Sequence, residues 1–419
     1  MSALIFATRE RPLKSSGPAA YAAAIFSGAF LLFQVQPLAA RYILPWFGGG
    51  PAVWTVCMLF FQALLVAGYA YAHWIVRLPR RRQIVAHLTL LAAALLTLPI
   101  VPGAGWKPAD SGEPTVRILL LLAATVGPPY LVLATVSPLV QSWFGAGDPT
   151  ASPYRLYSLS NVGALLALVT YPTLVEPSFS LRSQAVGWSA GFAVFAALYA
   201  ACAFIARPGR NGECREDVAD TALPPPGLPV RFLWMALPAC GSIMLLAATN
   251  RMCWDVAVVP FLWILPLALY LLSFVLCFDN RRWYYRPVFF PMLIVSIAGV
   301  VVLIGAGVDA PIWLQVTGYP AAMFVACMVC HGEAALLKPH PRHLTAYYLR
   351  LAIGGALGGV FVGVLAPRIF KSYAELYIGL WLSCLLALAA SRAGREPVAH
   401  PSFRLLRKVT LAVETALVV

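Results

Sequence analysis

The sequence predicts an all-α polytopic membrane protein with about twelve transmembrane helices in two six-helix halves. Three observations carry that prediction. Hydrophobic residues make up 61% of the 419 and charged residues only 11%, whereas a soluble protein carries about 25% charged residues. Such a chain cannot cover a water-facing surface, which excludes a soluble globular enzyme. The apolar residues fall in continuous runs of about the 20 residues needed to cross a bilayer, without the strand alternation of a barrel. Basic residues concentrate in alternate connections between the runs, so the net charge of +14 reflects cytoplasmic loops and no nucleic-acid partner.

In chain order, helix one is read over 19–40. Arg9, Arg11 and Lys14 precede it as they would a cleaved signal peptide, but the many apolar segments beyond make it a first membrane helix. It carries Gln34 and Gln36 beside Pro37, and Arg41 follows it. Helix two spans 52–75, opens at Pro51-x-x-Trp54 and carries Gln62; helix three, 84–101, follows Arg80-Arg81-Arg82. Helix four is read over 117–143. Helix five, 155–175, contains Asn161 and Gly163-Ala164-Leu165 and ends at Glu176; helix six is 184–206. Residues 207–230, with Glu213, Glu216, Asp217, Asp220 and Pro224-Pro225-Pro226, have the composition of a cytoplasmic linker.

Helix seven is 231–249, and Arg251 and Asp255 occupy the turn before helix eight, 256–278, where Pro260-x-x-Trp263 echoes helix two. Helix nine is 287–306, and helix ten, 311–332, ends in His331 and Glu333. Helix eleven, 344–366, carries Arg350, Gly355-Ala356-Leu357 matching helix five, and glycine pairs four apart at 354/358, 355/359 and 359/363 that let backbones approach closely. Helix twelve is 373–391. The organisation is therefore an N-terminal half over 1–206, the linker 207–230, a C-terminal half over 231–392, and a cytoplasmic or interfacial tail over 393–419. Duplicated six-helix halves are the build of major facilitator transporters.

Charge placement orients the chain. On the side of the N-terminus lie 22 of the 30 Lys and Arg residues, against seven on the other, with Arg350 inside a helix. Both termini are thus expected in the cytoplasm. Seven of the nine cysteines lie within apolar segments, which is no disulfide framework. Cys327-Met328-Val329-Cys330-His331 matches the C-x-x-C-H of haem attachment, but at the cytoplasmic end of an apolar helix it reads as packing, so no cofactor or metal is expected.

Several stretches are similar to the membrane part of bacterial fused major facilitator/spermidine synthase-like proteins. They are Phe33-Gln34-Val35-Gln36-Pro37-Leu38-Ala39-Ala40-Arg41-Tyr42, Leu44-Pro45-Trp46-Phe47-Gly48-Gly49, Pro260-Phe261-Leu262-Trp263-Ile264-Leu265-Pro266-Leu267, and Cys330-His331-Gly332-Glu333 followed by Pro341-Arg342-His343-Leu344-Thr345. The resemblance implies a multi-pass protein of the bacterial inner membrane, a polyamine-related solute, and association with an aminopropyltransferase-like domain. Nothing after Ala399 is long or polar enough for that domain, and no glycine-rich nucleotide loop follows a strand.

Ionisable residues inside a membrane need a reason. Arg41, Glu176, Arg251 and Asp255 are expected near the outer face, and Glu333 and Arg350 near the inner face. Their alternation suggests two gates: Arg41 or Glu176 facing Arg251 or Asp255 across the halves, and Glu333 pairing with Arg350. Gln34, Gln36, Gln62 and Asn161 are candidates to line a cavity or to bond neighbouring helices. No catalytic set stands out. The leading expectation is a transporter-like protein that binds or moves a small polar solute in a central cavity. The alternatives are a membrane anchor or regulator of a separate cytoplasmic aminopropyltransferase-like enzyme, and a membrane enzyme in which His331 and Glu333 converge.

Overall fold

The computed structural model describes residues 16–48, 51–107, 115–147, 154–205, 226–255, 260–370 and 374–393. The first half comprises α1 (Ser16–Phe47), α2 (Pro51–Ile75), α3 (Arg80–Leu95), α4 (Thr115–Thr125), α5 (Gly127–Gly147), α6 (Tyr154–Ser178) and α7 (Leu181–Ile205). The second comprises α8 (Leu228–Asp255), α9 (Pro260–Asp279), α10 (Arg286–Ala306), α11 (Ile312–Leu336), α12 (Pro341–Ile369) and α13 (Ala374–Ala393). Among the described residues nine helices are long and apolar enough to cross a membrane, and the bent pair α4–α5 makes a tenth. Helices α3, of 16 residues, and α9, apolar over Ile264–Asp279, complete the twelve segments.

Several boundaries move, each for a local reason. The segment expected as one rod over 117–143 bends by 67° between Thr125 and Gly127. Pro128 and Pro129 follow at once, and neither can donate to the preceding turn. Helix three, expected to reach 101, stops at Leu95, ahead of Pro99 and Pro102. Helix α8 begins at Leu228, inside the stretch read as linker, while 206–225 and the tail over 394–419 lie outside the described residues. Helices α6 and α12 share a device: a π turn, at Tyr171–Val175 and Phe361–Leu365, followed by a proline two residues on, Pro177 and Pro367. The wider turn absorbs the hydrogen bond that each proline cannot make.

Two apolar cores result. One gathers side chains from Tyr21 to Ala203, the other Tyr154 with side chains from Leu233 to Ala390. In the first, α1 packs on α5, α6 and α7; in the second, α8 is the hub for α11, α12 and α13. The halves meet chiefly along α2 with α12 and α6 with α9, and α5 also touches α12.

The α12 glycines serve both contacts. A Cβ on Gly354 or Gly358 would strike the backbone carbonyl of Met235 or Ala239 in α8. One on Gly359 would strike the Gln62 amide, and one on Gly363 would lie 3.1 Å from the Met58 methyl, both in α2. One small-residue helix therefore approaches its own hub on one face and the opposite half on the other. The seven cysteines whose side chains are described are free and buried, as the apolar setting predicts.

Candidate functional site

The polar groups that cross between the halves gather at one end of the seam, where α2, α5, α9 and α11 finish and α6 and α12 begin. Arg77 can only donate, so its 2.8 Å contact makes His73 Nε2 an acceptor and leaves the proton on Nδ1, which donates to Thr345 Oγ1 at 2.9 Å. One turn along α12, the buried Tyr348 hydroxyl donates to Gln141 Oε1 at 2.8 Å, and Gln141 Nε2 donates to Ser137 Oγ at 2.8 Å. On the α6–α9 side, Ser158 Oγ donates to Val275 O at 3.1 Å, and the Tyr154 hydroxyl donates to Pro339 O in the α11–α12 connection. Tyr157 of the first half stacks on Tyr348 of the second, ring centroids 4.6 Å apart. Lys338 caps the assembly, its ammonium 4.9 Å from the Tyr154 ring. Partial burial, and then the charge of Arg281, hold that ammonium below the usual lysine range.

Of these residues only Thr345 belongs to a stretch that the sequence marks out, the run Pro341-Arg342-His343-Leu344-Thr345. A signal was present in some: Gln141 is the one amide in the run 115–147, and the tyrosine pairs Tyr154/Tyr157 and Tyr347/Tyr348 open the fifth and eleventh segments.

The expected gates are paired differently. Arg41 meets Glu176 at 3.5 Å, a contact within the first half, with side chains 39% and 44% exposed. A pair that open to water contributes little. Arg251 is half-buried near the end of α8, and the side chain of Asp255 lies outside the described residues. Glu333, fully buried, pairs with Arg286 and not with Arg350: Arg286 Nε donates to Oε1 at 2.6 Å and Nη2 to Oε2 at 2.7 Å, while the Tyr284 hydroxyl donates to Oε1 at 2.8 Å. Arg286 opens α10, and the neighbouring Tyr284 ring lies against Gly332, so the α9–α10 connection folds onto the end of α11. Arg350 turns elsewhere, donating to Ala346 O at 3.0 Å with its guanidinium 5.8 Å from the Trp234 ring.

His331 and Glu333 do not converge. Ser273 donates to Tyr270 O at 2.6 Å, which leaves its oxygen to accept from His331 Nδ1 at 2.7 Å. The imidazole stacks on Phe274 at 3.6 Å, and its Nε2 faces Gly241, where an added Cβ would come within 2.8 Å. That is a packed histidine whose partners, Ser273 and Phe274, are separate from the Tyr284 and Arg286 that hold Glu333. Among the described residues no three His, Cys, Asp or Glu side chains are grouped to hold a metal.

The amides stay on the inner surfaces of the bundle. Gln36 Nε2 donates to the Tyr130 hydroxyl at 3.3 Å, and Asn161 Nδ2 to Tyr157 O at 2.9 Å. Gln34 is half-buried. Gln62 lies on the α2–α12 contact beside Gly359, its Oε1 buried without a partner. An open recess of about 320 Å³ on the first half is lined by Phe60, Leu64, Leu90, Ala123, Pro128 and Leu131, apolar throughout, and offers nothing to a polar solute.

Twelve segments in two cores, joined through α2–α12 and α6–α9, can be placed among solved folds. The fold is that of the major facilitator transporters. The chain is similar to a double-tryptophan variant of XylE, with TM-score 0.60, 13% identity, and 94% of this chain and 98% of that one covered. It is similar to a bacterial homologue of the iron transporter ferroportin in an outward-facing state, with TM-score 0.60, 12% identity, and 89% and 99% covered. It is also similar to the proton:xylose symporter XylE bound to a bromodeoxyglucose, with TM-score 0.58, 12% identity, and 90% and 95% covered. No protein-family model matches the sequence, and no curated protein matches it significantly. At these identities the likeness to facilitators is one of fold.

Proposed function

We propose that the chain is a facilitator-type carrier that moves a small, uncharged polar solute between its halves. The observation that carries this reading is the clustering of the inter-half polar contacts at one end of the seam: His73 with Thr345, Gln141 with Tyr348, Ser158 with Val275 and Tyr154 with Pro339. The ion pairs Arg41–Glu176 and Arg286–Glu333 each stay inside one half. Such an arrangement lets the halves rock as units while the contacts at one mouth break and re-form. The excess of basic loops supports a cytoplasmic side for the latched end and both termini, and the family resemblance supports a bacterial inner membrane.

The solute class follows from the side chains at the seam. Gln62, Gln141, Tyr157 and Tyr348, which touch or bond the opposite half, are neutral donors and acceptors. Glu176 and Glu333 already have arginine partners. A polyamine would need carboxylates turned inward and unpaired, so a polyhydroxy or amide solute fits these groups better than a polycation.

The test is uptake into vesicles of labelled D-xylose, mannitol, glutamine and spermidine. A variant with native cysteines replaced and His73→Cys with Thr345→Cys introduced gives the control. Uptake of a neutral solute, stopped by oxidative cross-linking and restored by reduction, is the expected result. Uptake no greater than in empty vesicles for every solute refutes the carrier reading and favours a membrane anchor for a separate aminopropyltransferase-like enzyme. Spermidine uptake alone would keep the carrier and overturn its solute class.

A further inference from the structure

At the latched end, arginines and histidines form a band that crosses the seam. It begins at Arg77 and His73 on α2, passes to Arg350 on α12 and Arg231 at the start of α8, and ends at His343, Arg342 and His340 in the α11–α12 connection. His73 accepts from Arg77 at 2.8 Å and donates to Thr345 on the helix that carries Arg350, the Arg350 guanidinium lies 5.8 Å from the ring of Trp234, three residues beyond Arg231 on α8, and His340, Arg342 and His343 share one short connection. Among the described residues no carboxylate pairs with Arg77, Arg231 or Arg350. The carboxylate expected to neutralise Arg350, Glu333, is held by Arg286 instead.

The band is built, not merely exposed. The Trp234 ring under the Arg350 guanidinium is itself buried, and its Nε1 donates to Leu337 O at 3.0 Å, which ties α8 to the connection carrying His340, Arg342 and His343. Arg350 spends one donor on Ala346 O and retains the rest. His343 Nε2 is buried without a partner. Several guanidiniums and imidazoles gathered at one end of the seam, half-buried or exposed, favour a shared counter-charge, and an anion with several acceptor oxygens supplies it to more than one of them.

We propose that this band binds the phosphate of an anionic phospholipid headgroup, bridging α2 of one half to α8 and α12 of the other. The position selects a lipid over a soluble anion. Arg350 lies about 9 Å past Leu344, where the α-helical part of α12 begins, and its side chain turns back toward the helix start, as a snorkelling arginine at headgroup depth does. A headgroup there would also hold the latched end closed, since its cationic partners belong to both halves.

The experiment compares the full chain in nanodiscs of phosphatidylcholine with nanodiscs containing phosphatidylglycerol, reading thermal unfolding, and counts retained phosphatidylglycerol by native mass spectrometry. A third arm adds inorganic phosphate to detergent-solubilised protein. Phosphatidylglycerol should raise the unfolding midpoint and remain bound. Arg231→Gln with Arg350→Gln should weaken retention roughly tenfold or more, and Arg231→Lys with Arg350→Lys should keep most of it, which a purely structural role of the two side chains would not produce. Equal behaviour in the two lipids overturns the proposal, including the case in which the chain's own acidic stretch around Glu213, Glu216, Asp217 and Asp220 fills the band. Equal stabilisation by inorganic phosphate overturns the lipid assignment.

Discussion

Glu333 is fully buried, yet it accepts three hydrogen bonds from Tyr284 and Arg286. A carboxylate so placed persists because its partners satisfy it; removing one leaves a buried charge, at a cost of about 3–5 kcal/mol. Arg286→Gln is therefore expected to lower the thermal unfolding midpoint sharply. The exchange Glu333→Arg with Arg286→Glu should recover part of the loss, whereas Glu333→Arg with Arg350→Glu should recover none. A midpoint for Arg286→Gln equal to wild type would refute the pairing. The exposed Arg41–Glu176 pair predicts the opposite magnitude: Glu176→Gln should shift stability by roughly 1 kcal/mol or less.

Among the elements, α12 makes both the tightest contact of its own half and half of the seam. Gly354 and Gly358 meet α8 through backbone carbonyls that cannot turn aside. Gly354→Ala is thus expected to destabilise the second half by about 1–3 kcal/mol, read as a lower unfolding midpoint. Gly359 meets only the end of the Gln62 side chain and Gly363 the Met58 and Thr55 side chains, which can yield. Gly359→Ala should leave the midpoint nearly unchanged while raising the accessibility of a cysteine placed at Thr345. A large midpoint drop there would contradict the division of labour between the two faces. The paired π turns of α6 and α12 belong to the same scale: each lies in a helix that forms the seam, ahead of Pro177 or Pro367.

For the whole molecule, the contacts at the latched end set the balance between conformers. Tyr348→Phe removes the donor to Gln141 and leaves a buried acceptor unsatisfied, worth about 1–3 kcal/mol. A shift of that size changes the ratio of two states by roughly five- to a hundredfold. The expected outcome is a faster reaction of a cysteine at Ser158 with a thiol reagent added on the latched side, in a background without the native cysteines. An unchanged rate would mean that the two halves do not separate there.

Composition, run length and loop charge determined that the chain is helical, that it lies in a membrane, and that it has two sets of six segments. Those properties are sums over many residues, and hydrocarbon permits few solutions for the backbone. The glycine spacing of α12 likewise announced close packing, since only small residues allow it. Partner choice was decided by the tertiary structure alone. Depth along a helix can be counted from sequence, so Glu333 and Arg350 were both placed near the inner face, but the direction in which each points and the helix it meets depend on how neighbours rotate and pack. Arg286, seven residues beyond the end of α9 at Asp279, reached Glu333 because the α9–α10 connection folds against Gly332. His73, Gln141 and Tyr348 became a latch because α2, α5 and α12 converge at one end, a meeting that no linear spacing encodes.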